Sequence, residues 1–297
     1  MTINGAESVT DAHLAAQNIC NISASSSCQP LNSNTTRNLN RKACFASPPF
    51  IPIFAGLPYT GLLHLILKLY SGECFKENLF KYTRHRWVYN ESRRLSERYL
   101  EFDLGQLLKA AVAAGSSSGA RSCTSLLKGK EGLNNKAYLL TMDNGAEVFA
   151  KLPNPCAGPS FYTTASEVAT REFLREVLNI PTPRIIAWSG DRSNPVRAEY
   201  ILEEKAPGKP LGRLWQDWDE WPMEKRFTII EQIVEIERKL SSLRFVRSGC
   251  IYFREDIPNS GALVTNPPLS SPILERFTLG PLVKTGLWSG EKISIFD

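Results

Sequence analysis

The sequence is poor in histidine, and this absence limits its chemistry. Of its 297 residues only His13, His64 and His85 are histidines, and none lies beyond residue 85. Catalysis by Ser-His-Asp or Cys-His groups needs a histidine base, so the sequence argues against both in the rest of the chain. The seven cysteines include no C-x-x-C pair, the usual spacing of zinc and redox sites. Their odd number and wide spacing are typical of a reducing compartment.

The chain also lacks a strong excess of either charge. Lys and Arg number 35 against 30 Asp and Glu, which gives a formal net charge of +5. This surplus forms no long basic cluster, so nucleic-acid binding is not predicted. The hydrophobic share of 42% and the charged share of 22% lie near the globular average. They exclude a wholly disordered, collagen-like or polytopic membrane protein.

Acidic residues are missing from the N-terminal part. Residues 12–72 contain no Asp or Glu, and residues up to about 47 are rich in Ser, Asn and Thr. That composition is typical of an organellar transit peptide, and also of a disordered tail. The sequence therefore predicts a disordered or targeting segment over residues 1–47.

An apolar, proline-rich segment follows over residues 48–78. Residues 43–67 carry no charge and are long enough for a bilayer span, which needs about 20 apolar residues. Four prolines interrupt the first half of this stretch, however, and a proline in a helix interior costs about 3 kcal/mol. We therefore predict a loosely packed or interfacial segment, with membrane contact through residues 48–70 as the less favoured alternative.

Beyond residue 78 the pattern becomes that of a globular α+β protein. Asp103 can cap a helix that Gly115 ends, and Asp143-Asn144-Gly145 predicts a hairpin, because Asn-Gly tolerates positive φ. The periodicities predict strands over 137–142, 146–152, 184–189 and 199–203, and helices over 164–178 and 223–243. The order of hairpin, helix, two strands and helix is an α+β plan.

Two features within this plan suggest phosphate binding. Strand alternation places Lys151 on the face of Phe149, and Glu167 lies in the first turns of the following helix. A Lys–Glu pair between strand and helix is how kinases hold the lysine that binds the ATP phosphates. The turn over residues 128–135 holds two glycines and two asparagines, whose backbone N–H groups can approach phosphate. A plain surface turn is the alternative for that segment.

From about residue 80 to residue 257 the chain resembles the kinase-like superfamily of aminoglycoside phosphotransferases and choline kinases. Within it, the chain is most similar to the fungal group named for altered inheritance of mitochondria. The resemblance is carried by FKYTRHRWVYNESRRLSERY, LLTMDNGAEVFAKLPNPCAGP, TTASEVATREFLREVLNIPTPRIIAWS and NPVRAEYILEEKAPGKPLG. It implies a kinase-like N-lobe, an antiparallel sheet with one helix, preceded by helices over residues 79–205. A partial helical C-lobe would follow over residues 206–297.

The resemblance also implies a nucleotide site. Lys151 matches the phosphate-binding lysine and Glu167 its partner, with Glu172 as the rival partner. The other implied nucleotide-binding residues are three in the turn, Gly132, Asn134 and Asn135, and three in the hinge, Glu203, Glu204 and Lys205. ATP and Mg²⁺ are the implied cofactors. The family generally has a Gly-Gly pair where this chain has Gly132-Leu133.

One element of the family pattern is missing from the sequence. The family's catalytic loop is of the His-x-Asp type, and no such motif follows residue 85. We therefore assign no catalytic or metal-binding residue, and expect an ATP-binding lobe whose catalytic half is truncated and which transfers no phosphate as given. Two alternatives are a non-catalytic mitochondrial scaffold or nucleotide-binding protein, and a gene-model fragment. The expected location is mitochondrial, otherwise cytoplasmic, and the acceptor substrate is not indicated.

Overall fold

The computed structural model of this chain describes residues 73–115, 119–258, 263 and 272–288. The predicted segment 1–47 and the apolar stretch 48–70 lie outside the described residues. Within the described part of the chain, no helix has both the length and the apolar character that a membrane span requires.

The described residues form helices and strands in alternating groups. The helices are α1 Glu73–Phe80, α2 Glu91–Ser96, α3 Leu104–Ala114, α4 Tyr162–Glu176, α5 Leu211–Leu214 and α6 Met223–Ser241. The strands are β1 Cys123–Lys128, β2 Asn135–Met142, β3 Glu147–Pro153, β4 Ile185–Ser189, β5 Tyr200–Glu204, β6 Cys250–Phe253 and β7 Phe277–Gly280. Short 3₁₀ segments occupy Trp215–Glu220, Leu274–Arg276 and Thr285–Leu287.

Five strands form one antiparallel sheet in the order β1-β2-β3-β5-β4. The predicted hairpin between β2 and β3 is confirmed. Gly145 has a φ of 82°, and the Asn144 side chain accepts a hydrogen bond of 3.0 Å from the Ala146 N–H. The predicted α+β class, with an antiparallel sheet, is confirmed as well.

Helix α3 covers one face of this sheet. Its N-terminus is capped as predicted, because the Asp103 carboxylate accepts a 3.0 Å hydrogen bond from the Gln106 N–H. The buried side chains of α3 join those of β2 and β3 in a first core that includes Leu107, Leu108, Tyr138, Leu140, Val148, Ala150 and Leu152. Every second residue of β2 and β3 thus points into this core, as strand geometry requires.

Helix α4 lies between the large sheet and a second, two-stranded sheet of β6 and β7. All seven residues from 164 to 170 are buried. On the β6–β7 side the rings of Phe173 and Phe277 meet at 5.4 Å, and Ile201 of β5 belongs to the same core. Because α4 is covered from both sides, charged residues on it must find partners inside the protein.

The segment after residue 205 contains more strand than the sequence predicted. Strands β6 and β7 were not expected there, since each has only four residues and no clear alternation. Helix α6 rests lightly on the second core through Ile236 and Leu240, and none of its residues is buried. The opposite side of α6 exposes Phe227 and Val234.

Candidate nucleotide site

The candidate site is built on strand β3. Lys151 pairs in register with Ala137 of β2 and Ile201 of β5. The burial of β3 alternates, so that Lys151 and Phe149 lie on the half-buried face, opposite the core-facing Ala150. This confirms the face that strand alternation predicted for Lys151.

Lys151 and Glu167 form an ion pair between β3 and α4. The Lys151 Nζ donates a short hydrogen bond to the Glu167 Oε1, and their side chains are 14% and 7% exposed. Of the three N–H donors of an ammonium group, one is used by this bond, which leaves two for a ligand. The remaining exposure of Lys151 gives a ligand one side from which to approach.

The ion pair is extended by Arg171, which sequence reasoning missed. Arg171 lies one turn after Glu167 on α4, with its Nη1 3.8 Å from the Glu167 Oε1. The same Nη1 forms a short hydrogen bond with the Glu203 Oε2 on β5. The i, i+4 spacing of Glu167 and Arg171 was a usable signal. Four alternating charges therefore link β3, α4 and β5.

Glu172, the rival partner of Lys151, is placed differently. Its Oε1 is buried and has no hydrogen-bond partner among the described residues. Burial raises the pKa of the Glu172 carboxyl, and the negative charge of Glu176 raises it further. The structure thus pairs Lys151 with Glu167, and it leaves one carboxylate oxygen of Glu172 without a hydrogen-bond partner among the described residues.

Replacing this carboxylate should therefore stabilise the protein. We expect Glu172→Gln to raise the free energy of unfolding at neutral pH by about 1 kcal/mol, because it removes the charge of a partly buried carboxylate that has one unpaired oxygen. Because the pKa of Glu172 is raised in the folded state, protonation of its carboxyl stabilises the folded protein at acid pH. This stabilisation is lost as pH rises through the folded-state pKa. The gain should therefore shrink in acid, which thermal unfolding of both proteins across pH measures. A gain independent of pH, or a loss at neutral pH, would contradict this account.

The turn between β1 and β2 is anchored from its interior side. Glu131 is buried, and its carboxylate accepts hydrogen bonds from the Thr83 N–H at 2.7 Å and from the Lys136 Nζ at 3.1 Å. The Leu133 carbonyl accepts from the Arg98 Nε at 3.1 Å and from the Asn154 Nδ2 at 3.2 Å. The turn therefore has a fixed shape.

The three predicted turn residues lie on this anchored segment. A Cβ on Gly132 would meet no atom within 4 Å, so the space beside it is open. Asn134 is exposed, and Asn135 begins β2 opposite Pro153. Their role in phosphate binding stays a prediction.

The predicted hinge side chains are engaged within the protein. Glu203 and Glu204 belong to β5; Glu203 bonds to Arg171, and Glu204 accepts a 2.9 Å hydrogen bond from the Arg184 Nε. Lys205 follows the strand and donates to Glu147 at 2.6 Å. Adenine contact by the backbone of these residues stays a prediction.

Metal binding finds no support in the described part of the chain. There, no three His, Cys, Asp or Glu side chains form a group that could hold a metal ion.

Comparison with known proteins gives relatives but no family. No model of a known protein family matches the chain. A subtelomeric hrmA-associated cluster protein of Aspergillus fumigatus is 40% identical over 170 residues, which are 57% of this chain and 31% of that protein. Among the proteins named altered inheritance of mitochondria protein 9, mitochondrial, that of Candida tropicalis is 31% identical over 52% of this chain and 26% of its own length.

The match to this second group is longer in another yeast. The protein of the same name from Debaryomyces hansenii is 25% identical over 70% of this chain and 41% of its own length. The chain is similar to this fungal group. It spans well under half of the length of these curated relatives. The similarity to the fungal group predicted from the sequence is thereby supported.

Proposed function

We propose that the described lobe binds ATP and that Lys151 holds its phosphates. The observation that carries the proposal is the buried ion pair between Lys151 on β3 and Glu167 on α4. The Glu167 carboxylate fixes the direction of the Lys151 ammonium group by accepting one of its hydrogen bonds. The positive end is thereby held at the half-open face of the sheet, where a phosphate oxygen can accept the remaining hydrogen bonds.

The arrangement of the sheet supports the same proposal. The order of hairpin, helix and two strands is what the resemblance to kinase-like phosphotransferases implies. The anchored 128–135 turn connects β1 to the beginning of β2. A turn of fixed shape binds phosphate without first losing conformational entropy. The adenine would lie toward β5 and Lys205, where the chain leaves the sheet.

We propose a mitochondrial location on the names of the relatives, several of which are called mitochondrial. The resemblance also suggests transfer of the γ-phosphate to a small-molecule hydroxyl. For this chain our proposal is nucleotide binding, because the described residues supply a phosphate-holding lysine and an enclosed partner for it.

Calorimetric titration with ATP and with adenosine tests the proposal. We expect the Lys151→Met variant to bind ATP at least about tenfold more weakly, since a charge-assisted hydrogen bond to phosphate is worth about 1.5–3 kcal/mol. Binding of adenosine, which has no phosphate, should change little. Lys151→Met also removes the hydrogen-bonding partner of the buried Glu167, so the double variant Lys151→Met/Glu167→Gln keeps the comparison valid if the single variant unfolds.

Lys109→Met provides the matched control, because Lys109 is an exposed lysine of α3 on the far side of the sheet's first core. It should bind ATP as the parent chain does. The proposal fails if the parent chain shows no preference for ATP over adenosine. It also fails if the double variant retains that preference.

A further inference from the structure

The loop over residues 83–90 presents two apolar side chains to solvent. Val88 is 109% exposed and Tyr89 is 80% exposed, more than any other large hydrophobic residue of the described chain. A value near or above full exposure means that these side chains stand clear of the surface. Single exposed apolar residues are common, but two adjacent ones at the end of a projecting loop form a compact apolar tip.

The loop that carries the tip is held in place. The Trp87 ring lies 5.1 Å from the Tyr82 ring, and the Arg98 guanidinium lies 4.8 Å from the centre of Trp87. Arg86, on the same side of the tip as Trp87, donates hydrogen bonds of 2.8 and 2.7 Å across it to the two carboxylate oxygens of Glu91. These contacts close the loop on both sides of residues 88 and 89.

The base of the loop is tied to the body of the protein. The Arg84 Nη1 donates a 2.7 Å hydrogen bond to the carbonyl oxygen of Glu131, a buried residue of the 128–135 turn. Asn90 has a φ of 53°, a conformation that asparagine tolerates better than most residues. Because the loop is already ordered, contact with a partner through the tip costs little conformational entropy.

Positive charge surrounds the tip. Residues 83–98 contain five arginines and two glutamates. Arg86, Arg93 and Arg94 all have side chains that are more than half exposed. Arg86 pairs with Glu91, and Arg93 and Arg94 share Glu97, so the five arginines and two glutamates leave an excess of three positive charges that attracts anionic groups. An apolar tip flanked by exposed arginines is complementary to a surface that has an anionic outer layer and an apolar layer beneath it.

We propose that the 83–90 loop docks onto an anionic phospholipid bilayer. Val88 and Tyr89 enter the boundary between headgroups and acyl chains, where tyrosine is enriched in membrane proteins. The exposed arginines remain in the headgroup layer and contact lipid phosphates. A lipid surface is favoured over a protein partner because two protruding side chains need only a deformable layer, with no matching pocket. Neither Val88 nor Tyr89 is among the candidate nucleotide-binding residues, so variants of the tip test lipid binding without changing that site.

Flotation with lipid vesicles tests the proposal directly. The 297-residue chain is mixed with vesicles of phosphatidylcholine alone, or of phosphatidylcholine with phosphatidylglycerol. We expect flotation with the anionic vesicles and little with the neutral ones. Binding should weaken as salt rises, because the screening length falls from about 30 Å at 0.01 M to about 8 Å at 0.15 M. Equal flotation with both kinds of vesicle would overturn the proposal, and so would the absence of flotation with either. In the second case, an acidic protein partner would explain the exposed loop better than a bilayer.

Serine substitutions locate the contact. The double variant Val88→Ser/Tyr89→Ser should partition onto anionic vesicles at least about tenfold more weakly, because both inserted side chains are lost. The control is Phe227→Ser/Val234→Ser on α6, where each residue is 55% exposed and belongs to an element other than the loop. It should bind as the parent chain does. Loss of binding in the control with retention in the loop variant would place the contact on α6 and refute the proposal.

Charge removal gives an independent measurement. Arg93→Gln/Arg94→Gln should weaken binding to anionic vesicles and flatten its dependence on salt, since each basic residue near a charged bilayer contributes about 1 kcal/mol, which is about fivefold in affinity. Because both arginines lie on the exposed surface of α2, folding should not change, and circular dichroism checks this. An unchanged salt dependence would contradict the assignment of these arginines to the lipid surface.

Discussion

Replacing Glu131 by alanine is expected to lower the free energy of unfolding by about 3–5 kcal/mol, because the buried Lys136 and the partly buried Lys128 lose their counter-charge. Lys136 is fully buried and its Nζ lies 3.1 Å from the Glu131 Oε1, as does the Nζ of Lys128. Burial lowers the pKa of both lysines, and the Glu131 carboxylate acts against that shift. Without the carboxylate, Lys136 must lose its proton or remain charged inside the protein.

Urea unfolding of Glu131→Ala measures this loss, and a second substitution identifies its source. In Glu131→Ala the charge of Lys136 is left without a partner, and Lys136→Met removes that charge. The double variant Glu131→Ala/Lys136→Met should therefore be more stable than the sum of the two single effects predicts. Lys128 needs no such rescue, because its Nζ also donates to the carbonyls of Asn78 and Lys81 at 2.7 Å each. A loss below about 1 kcal/mol, the value of an exposed ion pair, would show that this cluster is not buried as described.

The parts of the fold that could be predicted are those with local signals. The Asp143-Asn144-Gly145 turn fixed the β2–β3 hairpin, since Gly145 does adopt a positive φ. Asp103 predicted the start of α3, because its side chain caps the helix N-terminus. Strand alternation placed Lys151 on its correct face, because a period of two leaves only two choices.

The parts that could not be predicted depend on contacts between distant segments. Glu131 anchors the 83–90 loop across about fifty residues of sequence, and no local pattern marks that pairing. Arg171 reaches Glu203 only because β5 lies between β3 and β4, an order that follows from the whole sheet. A single acidic residue inside the otherwise apolar run AEYIL, residues 198–202, was the available hint for a third case, Glu199.

Glu199 holds the entry to α4. It is buried at the start of β5, and its carboxylate accepts hydrogen bonds of 2.6 Å from the Ser160 and Thr164 hydroxyls and 3.2 Å from the Phe161 N–H. The Arg192 Nε adds a fourth bond at 3.1 Å. The Glu199 side chain therefore bonds to three residues at the N-terminus of α4, the helix that carries Glu167.

The backbone at this point is strained, which explains why such a clamp is needed. Phe161 has a φ of 66° and a ψ of −60°, and the Tyr162 N–H donates a 2.8 Å hydrogen bond to the Ser160 carbonyl. This is the rarer form of γ-turn, in which φ is positive. A residue in so sparsely populated a conformation costs about 1–3 kcal/mol, which the surrounding contacts must offset. Glu199 supplies several of those contacts.

We therefore expect Glu199→Ala to lower the free energy of unfolding by about 3 kcal/mol, since it leaves buried donors without an acceptor and releases the strained turn. The matched control is Glu204→Ala at the end of β5, where the lost partner is an exposed arginine and the cost should stay below about 1 kcal/mol. Hydrogen exchange separates a local from a general effect: amides at the start of α4 should exchange faster in Glu199→Ala, whereas those of α3 keep their protection relative to global stability. If the two glutamate variants lose equal stability, or if α4 and α3 lose protection together, Glu199 is not the clamp of α4. Because Glu167 lies on the second turn of that helix, the same variant should also weaken the ion pair that positions Lys151.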